Sequence, residues 1–225
     1  MVQHTLRSAT RWAYSSRYSP TRRWRSQRLE AFLHLVQPPP GARVVDLGGT
    51  PYMWSLFPND FHVTLVNLPG SHRGEVPGRF TVVEADACEL GEVFDDQSFD
   101  VVFSNSVIEH VGPEDRQAAF AREVRRLAPA YWVQTPSPRF PIEAHTGVPF
   151  YWQRTQARRD RHVARWRAEL DVWAEMIANT RVLDGRRMRE LFPGGGLWSE
   201  RLLGIEKSIS AFRPHPGGAA RPGEA

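Results

Sequence analysis

The run from Arg43 to Trp54, R-V-V-D-L-G-G-T-P-Y-M-W, constrains this chain more than any other. A short apolar stretch ends in an acid, two glycines follow, and helix-compatible sequence resumes. A strand that hands over to a helix through glycines lets the backbone come close to a ligand at the edge of a parallel sheet. Two adjacent glycines also make an ordinary tight turn, so the rest of the chain has to decide between these readings.

The surrounding pattern alternates. Phe61 to Asn67, Phe80 to Ala85 (ending at Asp86), Phe99 to Ser104 and Ala130 to Gln134 read as further short strands. Met53 to Phe57 starts a short helix. Pro113, Glu114 and Asp115 open another that runs to about Ala128, with proline and acids where a helix N-terminus prefers them. Upstream, Leu29, Phe32, Leu33 and Val36 share one face of a helix over 26–36, which Pro38, Pro39, Pro40 and Gly41 terminate. Strands alternating with helices predict an α/β doubly wound domain on a parallel sheet.

The regularity breaks after Thr135. Residues 136–150 form a proline- and aromatic-rich loop, and Val163, Trp166, Leu170, Trp173 and Ile177 recur at helical steps. That periodicity predicts one long amphipathic helix with arginines on its other face. Asp184 is placed to cap a helix through Phe192. Leu197 to Leu203 and Glu206 to Phe212, joined at Gly204, read as a closing hairpin, and the tail over 213–225 is expected to be disordered.

A chain of 225 residues and 25.7 kDa builds one sizeable core with room for an appendage. No apolar run approaches the length of a bilayer span, so no membrane insertion is expected. Cys88 is the single cysteine, which excludes a disulfide framework and a cysteine zinc site within the chain; a reducing, cytoplasmic setting is expected. The net charge of +4 is carried by arginine, Lys207 being the one lysine. Residues 1–28 form a basic arm in which Arg7, Arg11, Arg17, Arg22, Arg23, Arg25 and Arg28 are interleaved with Trp12, Tyr14, Tyr18 and Trp24, without an acid. Such an arm suits a lid over the crevice, a transit segment, or a nucleic-acid contact.

The ordered set V-V-D-L-G-G-T, V-T-L-V-N-L, V-V-E-A-D-A and F-D-V-V-F-S-N-S-V-I-E-H-V resembles a class I S-adenosylmethionine-dependent methyltransferase of the small UbiE-like, methyltransferase type 11 group, across residues 29–212. The resemblance implies a Rossmann-like, seven-stranded, mostly parallel sheet with an antiparallel terminal hairpin, and a loop-helix lid at 136–180 after strand five. It implies S-adenosylmethionine as cofactor. Asp46, Gly48 and Gly49 match the loop beneath the methionine part, where Asp46 neutralises the ammonium group. Asn67 stands where the family usually places an acid for the ribose hydroxyls, and an amide gives up charge-assisted strength there. Asp86 matches the acid that accepts from the adenine amino group, and Ala87 its backbone donor. Ser104 and Asn105 match the strand end where methyl and acceptor meet. Thr50, Pro51 and Tyr52 depart from the small residues of the family loop, which leaves a retained fold without turnover as an alternative.

Moving a methyl from a sulfonium requires alignment and, for a hydroxyl acceptor, removal of a proton. Candidate bases are Glu109 and His110 after strand four and Glu143 and His145 in the loop after strand five, with His145 the favoured substrate-side residue. Their spacing does not match a metal site. The segment S-N-S-V does not resemble the N-P-P-Y type of DNA amino-methylating enzymes, and Cys88 is misplaced as a nucleophile for pyrimidine carbon-5. The leading expectation is a small-molecule acceptor in an apolar pocket drawn from Trp132, Phe140, Phe150, Tyr151 and Trp152. The alternative is an RNA acceptor gripped by the arginine-rich arm.

Overall fold

The computed structural model describes residues 20–71, 76–143, 146–168 and 170–218. In chain order these form α1 (Pro20–Val36), β1 (Arg43–Leu47), α2 (Pro51–Trp54), β2 (His62–Asn67), β3 (Phe80–Glu84), β4 (Val101–Asn105), α3 (Glu114–Leu127) and β5 (Ala130–Pro136). There follow α4 (Gln156–Arg167), α5 (Asp171–Asn179), α6 (Gly185–Leu191), β6 (Gly196–Leu202) and β7 (Ile205–Arg213).

The strands make one sheet in the order β3-β2-β1-β4-β5-β7-β6. β1 lies between β2 and β4, with Asp46 level with Leu65 on one side and Phe103 on the other. β3, β2, β1, β4 and β5 are parallel, and β7 enters antiparallel against β5 with β6 antiparallel outside it. This is the seven-stranded, mostly parallel sheet with a terminal hairpin that the resemblance implies. The hairpin turns at Leu203 and Gly204 with φ of 51° and 80°, the paired positive angles of a tight turn that matches strand twist.

Strand alternation divides the core in two. Ala130 and Trp132 face one cluster with Phe32, Trp54 and Phe103, beneath α1. Tyr131 and Val133 face the other with Phe120, Val124 and Met188, beneath α3 and α6. α6 starts as predicted, with the Asp184 carboxylate accepting from the Arg187 N–H at 2.8 Å.

Three expectations change. α1 begins at Pro20, so the limit of the basic arm at residue 28 falls inside a helix that belongs to the core. Beyond β7, the His215 N–H donates to the Val36 carbonyl at 2.7 Å, so the chain just after Arg213 is tied to the end of α1. The predicted long helix is two helices, α4 ending at Arg167 and α5 starting at Asp171. The break brings Trp166 to a ring-centroid distance of 5.0 Å from Trp173 and leaves Leu170 exposed. A straight helix would have kept Trp166 and Trp173 two turns apart, whereas folding back buries both rings against Tyr151 and Val163.

Candidate active site

The crevice begins at Asp46, next to last in β1. Its side chain is buried at the strand end, and one carboxylate oxygen accepts from the Trp54 indole N–H at 2.8 Å. The other oxygen, Oδ1, is buried and has no hydrogen-bond partner among the described residues. Burial pushes the Asp46 pKa up to about 7, while the Trp54 hydrogen bond pulls the other way. A buried carboxylate with an unsatisfied oxygen is costly unless a cation or donor meets it.

The glycines hold this carboxyl in place. A Cβ on Gly49 would overlap the Asp46 carboxylate, and one on Gly48, which has φ of 77°, would overlap Val107 in the loop after β4. Both positions require glycine because the backbone passes against its neighbours. Thr50, Pro51 and Tyr52 complete the turn, with Pro51 opening α2 and the Arg25 guanidinium of α1 lying 5.7 Å from the Tyr52 ring. The atypical residues thus start a helix that carries Trp54 to Asp46.

Asn67 ends β2 and donates from Nδ2 to the Gly49 carbonyl at 3.0 Å. Its amide pins the glycine loop and leaves Oδ1 as the group that can accept from a hydroxyl. Asp86 follows β3: Oδ1 accepts from the Cys88 N–H at 2.9 Å, and Oδ2 pairs with Arg116 of α3. Burial opposes its charge, but those donors together hold the carboxyl below its ordinary pKa. Among the described residues the Ala87 N–H makes no hydrogen bond, which keeps it available as a donor. Cys88 is buried, and burial pushes its thiol up to about 12, so it is inert as a nucleophile.

Ser104 is fully buried and its hydroxyl donates to the Leu47 carbonyl at 3.0 Å, tying β4 to β1 beneath the loop. Its hydroxyl is therefore spent on the scaffold, and of this pair only the Asn105 side chain reaches the open edge. Asn105 accepts at Oδ1 from Arg28 at 2.6 Å. The Arg28 guanidinium also donates to Gln134 at 3.1 Å and pairs with Glu200 at 2.6 Å, joining the ends of β4 and β5 to β6.

The candidate bases divide by burial. Glu109 is fully buried and accepts from the Thr135 hydroxyl at 3.0 Å. Glu143 is buried and accepts from the Thr146 N–H at 2.5 Å, closing its own turn. His110 keeps 25% of its side chain exposed, with Nδ1 at 3.2 Å from the Thr180 hydroxyl. His145 lies outside the described residues. Among the described residues, no group of three or more His, Cys, Asp or Glu could hold a metal ion.

The expected apolar pocket is not assembled as predicted. Trp132 is fully buried among Phe32, Trp198 and Phe212, because β-strand alternation turns it under α1. Phe150 is 59% exposed. Tyr151 and Trp152 instead line a cleft of about 1000 Å³ between α4 and α5 on one side and the N-terminal ends of α3 and α6 on the other. Pro113, Gln117, Thr180 and Arg181 form its far wall, and Thr180 is the residue that meets His110. Sequence reasoning missed Trp54, Arg28 and Arg116. Trp54 was within reach of a local signal, eight residues from Asp46, whereas Arg28 and Arg116 meet their partners only through the fold.

S-adenosylmethionine fits these residues. The unpartnered Asp46 Oδ1 suits an ammonium group, and the two glycines open the backbone where side chains would block it.

Comparison with known proteins agrees. A family model described as a methyltransferase domain matches residues 52–130. No curated protein sequence matches the chain. A methyltransferase structure from Archaeoglobus fulgidus, described as SAM dependent, is 12% identical with a TM-score of 0.56, over 85% of this chain and 94% of that one. A complex of a methyltransferase activator with a candidate methyltransferase from Haloferax volcanii matches at 15% identity and a TM-score of 0.53, over 89% and 94%. A candidate methyltransferase from an antibiotic biosynthesis pathway of Anabaena variabilis matches at 16% identity and a TM-score of 0.52 over 77% of this chain, which spans 64% of that protein's length. At these identities the structural likeness is one of fold.

Proposed function

We propose that this chain is a class I S-adenosylmethionine-dependent methyltransferase and that it methylates a small-molecule acceptor. The observation that carries the reading is Asp46: a carboxylate buried under a glycine turn at a strand end, with one oxygen left unsatisfied. Bound there, S-adenosylmethionine would supply an electrophilic sulfonium methyl. Asp46 neutralises the ammonium group, and Gly48 and Gly49 admit it. The Asn67 Oδ1 accepts from a ribose hydroxyl. Asp86 and the Ala87 N–H hold the adenine edge, with the Cys88 N–H and Arg116 holding the Asp86 carboxyl below its ordinary pKa against burial.

Two features support a small acceptor. The cleft of about 1000 Å³ has the size of a ligand pocket, and Tyr151 and Trp152 give it apolar surface. His110, which meets the cleft-lining Thr180 and is the most exposed of the described bases, is the group best placed to take a hydroxyl proton. Glu109 and Glu143 hold their loops.

The test uses the full chain with methyl-labelled S-adenosylmethionine in a cell extract, after calorimetry with S-adenosylhomocysteine. Label appearing in the low-molecular-weight fraction is the expected result. Label in RNA would overturn the small-molecule reading, and absence of S-adenosylhomocysteine binding would overturn the enzyme reading itself.

A further inference from the structure

α4 carries two unlike faces. Arg159 and Arg167 turn toward the aromatic cleft and are engaged there. Arg159 lies 5.5 Å from the Trp152 ring and donates to Gln156 at 2.5 Å, and Arg167 pairs with Glu175 at 2.8 Å. On another face, Arg158, Arg161, His162 and Arg165 join Arg154 around a separate hollow of about 370 Å³. Steps of three and four residues place these side chains on one side of the helix.

No carboxylate lines this hollow. Among the described residues, the side chains of Arg158 and Arg165 make no hydrogen bond or ion pair, and that of Arg161 reaches only the Ala157 carbonyl of its own helix at 3.4 Å. Arg154 donates to His162 Nε2 at 2.8 Å and to the Pro149 carbonyl at 3.0 Å. An arginine that donates to a histidine requires a neutral ring, so two bases satisfy each other where an acid would ordinarily stand. The rings of Tyr151 and Trp166, 6.3 and 5.4 Å from the His162 ring, fix that wall. Burial first, then Arg154, Arg165 and Arg161, hold the His162 pKa below its ordinary value. Like charges one turn apart oppose helix formation, so the sequence keeps this set against its own helix.

We propose that the hollow binds a compact oligophosphate group, the diphosphate or triphosphate part of a ligand. Guanidinium forks match phosphate oxygens two at a time, and four of them around one hollow exceed what a single carboxylate would neutralise. Compactness follows from the confinement of the unengaged cations: the next arginines along α4, Arg159 and Arg167, already have partners. The site stands apart from the cofactor crevice and does not depend on the acceptor reading.

Titration of the full chain with inorganic pyrophosphate, at constant ionic strength, tests this by calorimetry and by NMR of the His162 ring. The expected result is saturable binding at least tenfold tighter than sulfate, with the His162 pKa rising as the anion enters. An Arg158→Gln/Arg161→Gln variant is expected to bind at least tenfold more weakly while keeping its helical circular dichroism and its affinity for S-adenosylhomocysteine. Arg165→Gln alone serves as the milder second variant and is expected to show a smaller loss. Pyrophosphate binding no tighter than sulfate, or unchanged in both variants, overturns the proposal. So does salt-sensitive binding of single-stranded RNA without saturable pyrophosphate binding, which would make the face an extended polyanion surface.

Discussion

Arg28 Nη1 donates to Asn105 Oδ1 at 2.6 Å, linking α1 to the end of β4 across 77 residues. With Oδ1 taken up by the guanidinium, Asn105 keeps Nδ2 as its side-chain donor. Arg28 therefore orients a donor at the place where methyl and acceptor are expected to meet, while itself held by Glu200 and Gln134. Replacing Asn105 by aspartate keeps an oxygen for Arg28 and removes the donor. We expect Asn105→Asp to melt within a few degrees of the parent and to bind S-adenosylhomocysteine about tenfold more weakly, a difference of about 1.4 kcal/mol. Calorimetry beside thermal denaturation checks both halves, and unchanged affinity would confine Asn105 to the scaffold or the acceptor.

The proposed role of Asp46 implies a pH dependence of cofactor binding. Burial disfavours its charge and pushes its pKa up to about 7, against the pull of the Trp54 hydrogen bond. An ammonium group beside it favours the ionised form, so binding expels a proton when the pH lies below that value. We expect the dissociation constant for S-adenosylhomocysteine to be flat above pH 7 and to rise about tenfold per unit below it, measured by calorimetry across buffers. The same shift acts on folding with a defined sign. The folded-state pKa is raised, so this group's contribution is fully present below the unfolded value of 3.8 and is lost as pH rises through 7. Asp46→Asn should thus melt higher than the parent at pH 8, bind the cofactor product more weakly, and show no pH dependence.

Gly49 tests the crevice by volume alone. A methyl there overlaps the Asp46 carboxylate and drives it off the Trp54 indole. We expect Gly49→Ala to lower S-adenosylhomocysteine affinity by at least about tenfold and to shift the Trp54 indole N–H resonance, since one lost charge-assisted contact costs about 1.5–3 kcal/mol. An unmoved indole signal would place the Asp46 side chain elsewhere.

Asp86 joins two roles that a pair of variants separates. Asp86→Ala removes both the proposed acceptor for adenine and the partner of Arg116 and the Cys88 N–H. Arg116→Met removes only the pair. We expect the first to weaken S-adenosylhomocysteine binding about tenfold and the second by less, with small, comparable losses of thermal stability because the pair is partly exposed. Equal loss of affinity in both would show that Arg116 orients the acid rather than merely accompanying it.

The sheet and the polar residues at its strand ends are legible in the sequence. Each strand announces itself as a short apolar run, and the polar residue that closes or follows the run falls at the carboxyl edge by geometry alone, which is where Asp46, Asn67, Asp86 and Asn105 stand. The hairpin at Gly204 and the cap at Asp184 are equally local signals. What the tertiary structure decided depends on contacts distant in sequence or on which face a residue takes. Helical periodicity in Val163, Trp166, Trp173 and Ile177 persists across the interruption between α4 and α5, so it could not distinguish one helix from two. Trp132 reads as a pocket aromatic until strand alternation commits it to the core under α1. The partners that set the site's electrostatics, Arg28 for Asn105 and Arg116 for Asp86, come from helices 77 and 30 residues away. No local pattern encodes those meetings, because they are made only when the sheet has closed and the helices have been laid across it.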